Sequence, residues 1–569
     1  MAILSKRQPV CVQTQIKMVN QILEKSKQLL FKKEENILSA GFLIGTALLA
    51  SAILGLFRDR LFSHYFGAEP LFSRLGLYFA ADRIPSFIFN IIVVGTLTTA
   101  FIPIFSKQLK KGKSYAWELA SNTLNTVLVS FAFLAVIIFV FSKPISRVVS
   151  IGSLPTSDLN FMSTLLRVMI LSQLILVISS FFSSIIQSFK RFLVPAIAPV
   201  LYNLGIILFV ILFAEKWGVL APAWGMVFGA CMHLVIQFYF SKGLGFKYIR
   251  IINLKDPKLR EVLILMLPRV ASLAANQVSL LIDTSLSIFI GASSLVVFNF
   301  AQHLQTVPVN FFGGALSQAA FPILSAESEN RKNFTDIVKS STTQIVFFVL
   351  PISILFIILR IPLVRLVFGA SKFSWGATIS TSYTLAFFAV SMVFQSLVYL
   401  LNRAFYALCN TRTPVVISLI SIFINIILAV YFVLVKGFGI WSLSLAFSVS
   451  SFVNAILLFV FLAKVLPEFL DLAFLYYLSK IAWGSLVTAV FLYVPMKLLD
   501  KMVFDTTRTL NLVLLTWFVF GAGLFSYILV SKILNIKERT LVLNVLKKLF
   551  SYRKTPSKLI SGSIGDNIS

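Results

Sequence analysis

The feature that most constrains this chain is a succession of apolar runs, each long enough to cross a lipid bilayer. A hydrocarbon core about 30 Å thick takes about 20 helical residues. Fourteen runs of that order lie at 37 to 57, 77 to 105, 117 to 142, 161 to 188, 193 to 214, 218 to 241, 261 to 282, 293 to 324, 341 to 360, 377 to 402, 413 to 435, 440 to 464, 474 to 496 and 510 to 533. Inside lipid every backbone N–H and C=O must find a partner within the protein, and runs of this length do so as helices. The sequence therefore predicts an all-α polytopic membrane protein with about 14 transmembrane helices. With 58% hydrophobic residues, 12% charged residues and a mean hydropathy of +0.91, a soluble domain is excluded.

The formal net charge of +29 would suggest nucleic acid in a soluble chain. Here Lys and Arg concentrate between the spans and at both ends, where anionic lipid attracts them, so the expected partners are membrane lipids and not nucleic acid. Lys107, Lys110, Lys111 and Lys113 follow span two, Lys190 and Arg191 follow span four, and Lys242, Lys247, Arg250, Lys255, Lys258 and Arg260 follow span six. With the basic N-terminus inside, all of these fall on the cytoplasmic side, as do Lys547, Lys548, Arg553, Lys554 and Lys558. An even number of spans and two cytoplasmic termini follow. Arg360, Arg365 and Lys372 after span nine, and Lys497, Lys501 and Arg508 after span thirteen, run against the pattern.

Residues 1 to 36 are basic and hold no cleavable apolar region, and Ile16, Val19, Ile22, Leu29 and Leu30 are spaced helically. A cytoplasmic segment with an interfacial helix is expected there, not a signal peptide. Cys11, Cys231 and Cys409 show no disulfide or metal-ligand spacing. No nucleophile stands beside a base, and there is neither a phosphate loop of P-loop type nor a metal cluster. Neither a cofactor nor an enzymatic activity is expected.

An internal repeat divides the chain. GTLTTAFIPIFS at 95 to 106 and GALSQAAFPILS at 314 to 325 share residues at an offset of 219, the same offset that joins Pro195 to Pro414. GVLAPAWG at 218 to 225 pairs with GIWSLSLA at 439 to 446 at 221. Two six-helix repeats follow, a first bundle at 37–241 and a second at 261–465, joined by a basic linker at 242–260. Two further helices occupy 466–535, and a basic tail covers 536–569. Six spans separate matching elements, so the repeats share one topology and are related by an axis along the membrane normal, an arrangement that places a cavity between bundles.

Span two carries Asp82, Arg83, Pro85 and Gly95, which a passive anchor would avoid. An ionisable residue at membrane depth costs roughly 2.5 to 3.5 kcal/mol on insertion scales and usually faces a polar path or a partner. Arg58 and Asp59 stand at the end of span one, Arg269 follows Pro268 in span seven, and His303 lies in span eight without a nearby acid. Asp82 could equally serve to neutralise Arg83, and Arg269 and Asp283 admit a gating or ion-coupling role and a capping role alike. His233 is expected to pack or to bond between helices.

With the repeat in hand, the motifs resemble those of the MurJ/MviN family of lipid II flippases in the MOP exporter superfamily. ILGLFRDRLFSHYFGA at 53 to 68, ADRIPSF at 81 to 87, FKRFLVPAIAPVLYN at 189 to 203, LQTVPVNFFGGAL at 304 to 316 and NRAFYALCNTRTP at 402 to 414 carry the likeness. It implies a lipid flippase that moves undecaprenyl-pyrophosphate-linked peptidoglycan precursor (lipid II) across the bacterial inner membrane by alternating access. It also implies a cationic cavity for the lipid-linked anionic substrate and a groove beside the last two spans for the lipid tail.

Arg58 matches the family's cavity arginine and Asp59 the acid next to it. Arg83 falls where a basic residue often precedes Pro85, and His303 where an arginine precedes the Leu-x-x-x-Pro run. Ala52, Gly76 and Val94 stand where charged residues are usual. Substrate-binding candidates are therefore Arg58, Asp59, Arg83, Arg269 and His303. A monovalent cation or the membrane potential would drive transport, and cell-wall synthesis proteins are possible partners. A flippase for another polyprenyl-linked saccharide, an exporter of the superfamily and a non-transporting cell-wall scaffold stay open as alternatives.

Overall fold

The structure, a computed structural model, describes residues 37–94, 97–369, 372–502 and 509–544. The expected interfacial helix at 15 to 33, Gly95 and the part of the basic tail beyond 544 lie outside the described residues. The first helix, α1 (Ile37–Phe66), continues past the predicted end of span one because Phe62 and Phe66 are fully buried and Ser63 bonds back to the Arg60 carbonyl at 2.8 Å. Arg58 and Asp59 therefore stand about two turns inside the helix, not at its end. Thirteen further helical stretches among the described residues, from Leu71–Val93 to Thr509–Ile533, are long and apolar enough to cross a membrane. Together with α1 they match the predicted spans.

After α1 come α2 (Leu71–Phe89), π-helical segments at Asn90–Val94 and Leu97–Phe101, α3 (Ile102–Lys111), α4 (Lys113–Val140), α5 (Ser142–Val149), α6 (Thr156–Ser188), α7 (Leu193–Trp217) and α8 (Leu220–Gly243). The second repeat runs through α9 (Pro257–Ile290), α10 (Ala292–Pro308), a π-helical segment at Val309–Gly314, α11 (Ala315–Ala326), α12 (Arg331–Ile358), α13 (Arg360–Phe368), α14 (Trp375–Ala407), α15 (Arg412–Val430), a π-helical segment at Tyr431–Val435 and α16 (Trp441–Val465). The last two helices are α17 (Leu472–Met502) and α18 (Thr509–Ile533).

The repeat is visible in the backbone itself. Helices α6 and α14 have 33 residues each and begin at Thr156 and Trp375, at the offset of the sequence repeat. Both end in a turn with a left-handed residue that is not glycine, Lys190 at φ 59° and Cys409 at φ 58°. At each end two bonds close the same motif, Arg191 N to Ile186 O with Lys190 N to Gln187 O, and Asn410 N to Phe405 O with Cys409 N to Tyr406 O. A side chain in that conformation costs roughly 1 kcal/mol, so its appearance at both positions marks a turn on which the fold depends. Pro195 and Pro414 are each the third residue of the following helix, where the proline has no ladder hydrogen to lose. The π-helical segments that begin at Asn90 and Val309 fall at the same offset.

The chain packs as two compact units, Met1–Phe300 with Ala370–Ser374 and Ala429–Ile440, and Ala301–Gly369 with Trp375–Leu428 and Trp441–Ser569. In the first, α1 lies along α7, α2 along α6, and α8 against both α6 and α7, while α9 packs on α2. In the second, α14 packs with α12 and α16, and α17 with α12 and α18. This packing division falls within α10, whereas the repeat division falls between α8 and α9. The repeat lives in local backbone geometry and the units in contact between helices.

In the second unit, contacts of Arg360 and Arg365 account for two of the charges that ran against the expected pattern, and Tyr527 and Asp471 tie the last helices down. Arg360 donates to the Ile357 carbonyl at 3.1 Å and lies over the Tyr383 ring at 5.3 Å, while Arg365 lies over Trp375 at 5.8 Å. A cation on the C-terminal carbonyls of α12 meets the negative end of its dipole. Tyr527 on α18 donates to the Phe347 carbonyl of α12 at 2.8 Å. Asp471 caps α17 by accepting from Phe474 N at 2.7 Å and takes the Lys339 ammonium of α12 at 2.6 Å.

Candidate functional site: a buried cluster of arginines and carboxylates

The candidate residues that meet in the first unit come from α1 and α2, with supporting groups from α6, α7, α9 and α10. Asp59 is wholly buried and accepts from Arg58 Nε at 3.1 Å and Nη2 at 2.9 Å. Arg58 Nη1 donates to Asn203 Oδ1 of α7 at 3.2 Å, and the Asn203 amide nitrogen reaches the Ser51 hydroxyl of α1 at 3.2 Å. The guanidinium also sits 5.5 Å from the centre of the Phe62 ring. All three guanidinium nitrogens of Arg58 and one of its faces are thus engaged by the protein, which fixes its plane.

Asp82 and Arg83 follow one another on α2, so their side chains leave the helix about 100° apart. They bond to different partners. Asp82 Oδ2 accepts from the Ser86 hydroxyl at 3.0 Å, and that hydroxyl accepts from Gln173 Nε2 of α6 at 3.3 Å. Arg83 Nη2 donates to Asn299 Oδ1 of α10 at 2.7 Å. The Asp82 charge acts on Arg83, and so does that of Asp283 on α9; Asp82 in turn lies in the field of Arg58. Asp82 is thus bonded to Ser86 and Arg83 to Asn299, with no hydrogen bond between the two neighbours among those the structure shows.

The two arginines differ in what they have left to offer. Arg83 Nε is buried and has no hydrogen-bond partner, whereas Arg58 Nε is held by Asp59. A guanidinium binds phosphate through paired N–H groups, and a buried donor without an acceptor is costly. The Nε of Arg83 is chemically able to take an anionic acceptor, whereas the Arg58 guanidinium is already held by Asp59 and Asn203.

The remaining candidates are placed less fully. His303 is half-buried on α10, one turn beyond Asn299. Arg269 lies on α9, and its side chain is outside the described residues. His233 bonds between helices as expected, its Nδ1 2.6 Å from the Ser179 hydroxyl of α6. Gly76 has a packing reason: a Cβ there would stand 1.9 Å from the Ala292 carbonyl oxygen, so α2 can approach the first residue of α10 only with glycine. An acid at this position would not fit.

Asn203, Asn299, Gln173 and Ser86 were not singled out from the sequence. Asn203 closes the FKRFLVPAIAPVLYN motif, and a lone amide in an apolar span was a usable signal. Asn299 shares its span with Gln302, Gln305, Asn310 and Gln318, and only the fold reveals its partner.

A multi-helix repeat with arginines and carboxylates gathered on its spanning helices inside one unit is the architecture of a polytopic membrane transporter. The fold is similar to that of a solved lipid II flippase MurJ in an inward closed conformation, with a TM-score of 0.73, 24% identity and coverage of 86% of this chain and 98% of that one. It is more distantly similar to a multidrug resistance MATE family transporter of the MOP superfamily, with a TM-score of 0.62, 13% identity and coverage of 74% and 98%. Among relatives, the probable lipid II flippase MurJ of Buchnera aphidicola subsp. Schizaphis graminum is 29% identical over 433 residues, 74% of this chain and 83% of that protein. That of Thermotoga maritima is 27% identical over 490 residues, 86% and 94%. The sequence profile of the lipid II flippase MurJ family matches residues 62–515, and the chain belongs to that family.

Proposed function

We propose that this protein is a lipid flippase that carries undecaprenyl-pyrophosphate-linked peptidoglycan precursor, lipid II, across the bacterial inner membrane by alternating access. It is a transporter and not an enzyme. Family membership over residues 62–515 supports the substrate class. The observation that carries the reading at the level of residues is Arg83, a half-buried arginine on a membrane helix whose Nε is itself buried and unengaged. A pyrophosphate is the chemical complement of that edge. The head group needs a polar path and the prenyl tail can stay in lipid.

In this reading Arg83 takes the pyrophosphate, Arg58 and Asp59 shape the wall, and Arg269 and His303 contribute from the second repeat. The bundles at 37–241 and 261–465 rock about the cavity, both termini face the cytoplasm, and the membrane potential or a monovalent cation gradient supplies the drive. Cell-wall synthesis proteins would use what it delivers. The absence of room for an acid at Gly76 favours, as a second reading, a polyprenyl-linked saccharide with a different head.

The test is complementation. Cells depleted of their own lipid II flippase and supplied with this chain should regain growth, and inner-leaflet lipid II should cease to accumulate. Failure by a well-expressed, correctly inserted protein would remove lipid II as the substrate.

A further inference from the structure

The connection between α8 and α9 is an extended strap held along α4 by buried polar side chains. Ile249 N donates to the Ser121 hydroxyl at 3.0 Å, Asn125 Nδ2 donates to the Ile251 carbonyl at 2.8 Å, and the Tyr248 hydroxyl donates to Asn125 Oδ1 at 3.0 Å. Asn122 binds the Asn253 peptide from both sides, donating to its carbonyl at 3.0 Å and accepting from its N–H at 2.8 Å. Ser121 and Asn122 are fully buried beneath the strap and Asn125 is 8% exposed. Polar side chains this deep in a membrane helix are costly unless bonded, and here they are spent on fixing the path of one loop.

That path turns an unusual set of side chains outward. Tyr248, Ile252 and Leu254 are 54%, 58% and 60% exposed, and Lys247, Arg250 and Lys255 are exposed between them. The charged neighbours are committed elsewhere. Asp256 caps α9 by accepting from Lys258 N at 2.9 Å, and Lys258 lies over the Tyr115 ring at 5.4 Å. The outward face is thus apolar and cationic, with no free acid among residues 244 to 255.

We propose that residues 244 to 256 form a docking surface for anionic phospholipid, with the three cations on phosphate groups and Tyr248, Ile252 and Leu254 among the acyl chains. An acidic protein would satisfy the cations but leave the apolar side chains without a medium, whereas a charged membrane surface supplies both. The strap is bonded to the third and fourth turns of the bilayer-crossing helix Lys113–Val140, in the N-terminal half of that span and on the side where the basic connections fall. Because its backbone is already fixed, little ordering remains to be done on binding.

The test uses the full chain reconstituted in mixed phosphatidylglycerol and phosphatidylcholine, with Leu254→Cys carrying a fluorophore in a background lacking Cys11, Cys231 and Cys409. Brominated phosphatidylglycerol should quench the label more strongly than brominated phosphatidylcholine. Replacing Lys247, Arg250 and Lys255 together by Ala should cut that preference by roughly tenfold. Asn122→Ala should also lower it with every charge in place, because the strap is no longer held; both variants are checked for intact membrane protein by size-exclusion. Equal quenching by the two lipids, a preference that survives the triple substitution, or protection of the label only by an added acidic protein would each overturn the proposal. Because the readout does not involve transport, it stands or falls separately from the flippase assignment.

Discussion

Arg83 Nη2 donates to Asn299 Oδ1 at 2.7 Å, and the Asn299 amide is itself fixed by donating to the Leu295 carbonyl at 2.7 Å. The second bond sets which face of the amide Arg83 meets, so the guanidinium is aimed by a group that cannot turn away. A hydrogen bond to a charged group contributes about 1.5 to 3 kcal/mol. Asn299→Ala should therefore lower lipid II translocation by roughly tenfold or more while the protein inserts normally. Asn299→Asp should lower it further, because an adjacent carboxylate competes with the substrate's phosphate. Unchanged transport in both variants would detach Asn299 from the site.

The pair formed by Arg58 and Asp59 has a different role. Removing the wholly buried Asp59 leaves a cation whose remaining hydrogen-bond acceptor among the described residues is Asn203, a loss of about 3 kcal/mol for a pair of this kind. Asp59→Ala should lower the melting temperature in detergent markedly, and Arg58→Ala should abolish complementation. A melting curve for Asp59→Ala that overlays the wild type would show that the pair does not hold α1 to α7.

Gly76 tests the close approach of α2 to the start of α10. With 1.9 Å between an added Cβ and the Ala292 carbonyl oxygen, Gly76→Ala must displace backbone, and overpacking of this kind costs about 1 to 3 kcal/mol. Reduced stability is expected for Ala and a larger loss for Asp, measured by thermal unfolding. A stable Gly76→Asp variant would contradict the packing account.

Asp471 gives a pH dependence of defined sign. The Lys339 ammonium and then the Phe474 N–H hold its carboxyl below the ordinary value of 3.8. A group whose pKa is depressed on folding contributes stability above its unfolded pKa and loses it as pH falls through the folded one. The wild type should thus lose melting temperature on acidification below about pH 4 more steeply than Asp471→Asn. Identical acid profiles would show that the contact between α12 and the start of α17 is not formed in solution.

How much of this was legible in the sequence follows from the physics of each feature. Apolar runs of membrane length must be helices, so the spans were readable. The offset of 219 was readable from Pro195 and Pro414, and the left-handed turns at Lys190 and Cys409 repeat it without having been announced by the sequence. Adjacent charges announced Arg58 with Asp59 and Asp82 with Arg83. Sequence adjacency could not tell the two pairs apart, since Arg58 bonds its neighbour and Arg83 bonds an asparagine on another helix. The π-helical segments were not legible either, because an extra residue in a turn leaves the apolar pattern nearly unchanged over so short a stretch. Gly76 read as a missing charge, when the fold requires a missing side chain.

The most direct test of the account is lipid II translocation by the purified protein in vesicles, comparing the wild type with Arg83→Ala and Arg83→Lys. Translocation by the wild type, loss of it with Ala and partial retention with Lys are predicted, because lysine keeps the charge but not the paired donors. Translocation by Arg83→Ala at the wild-type rate, in protein that is folded and inserted, would contradict it.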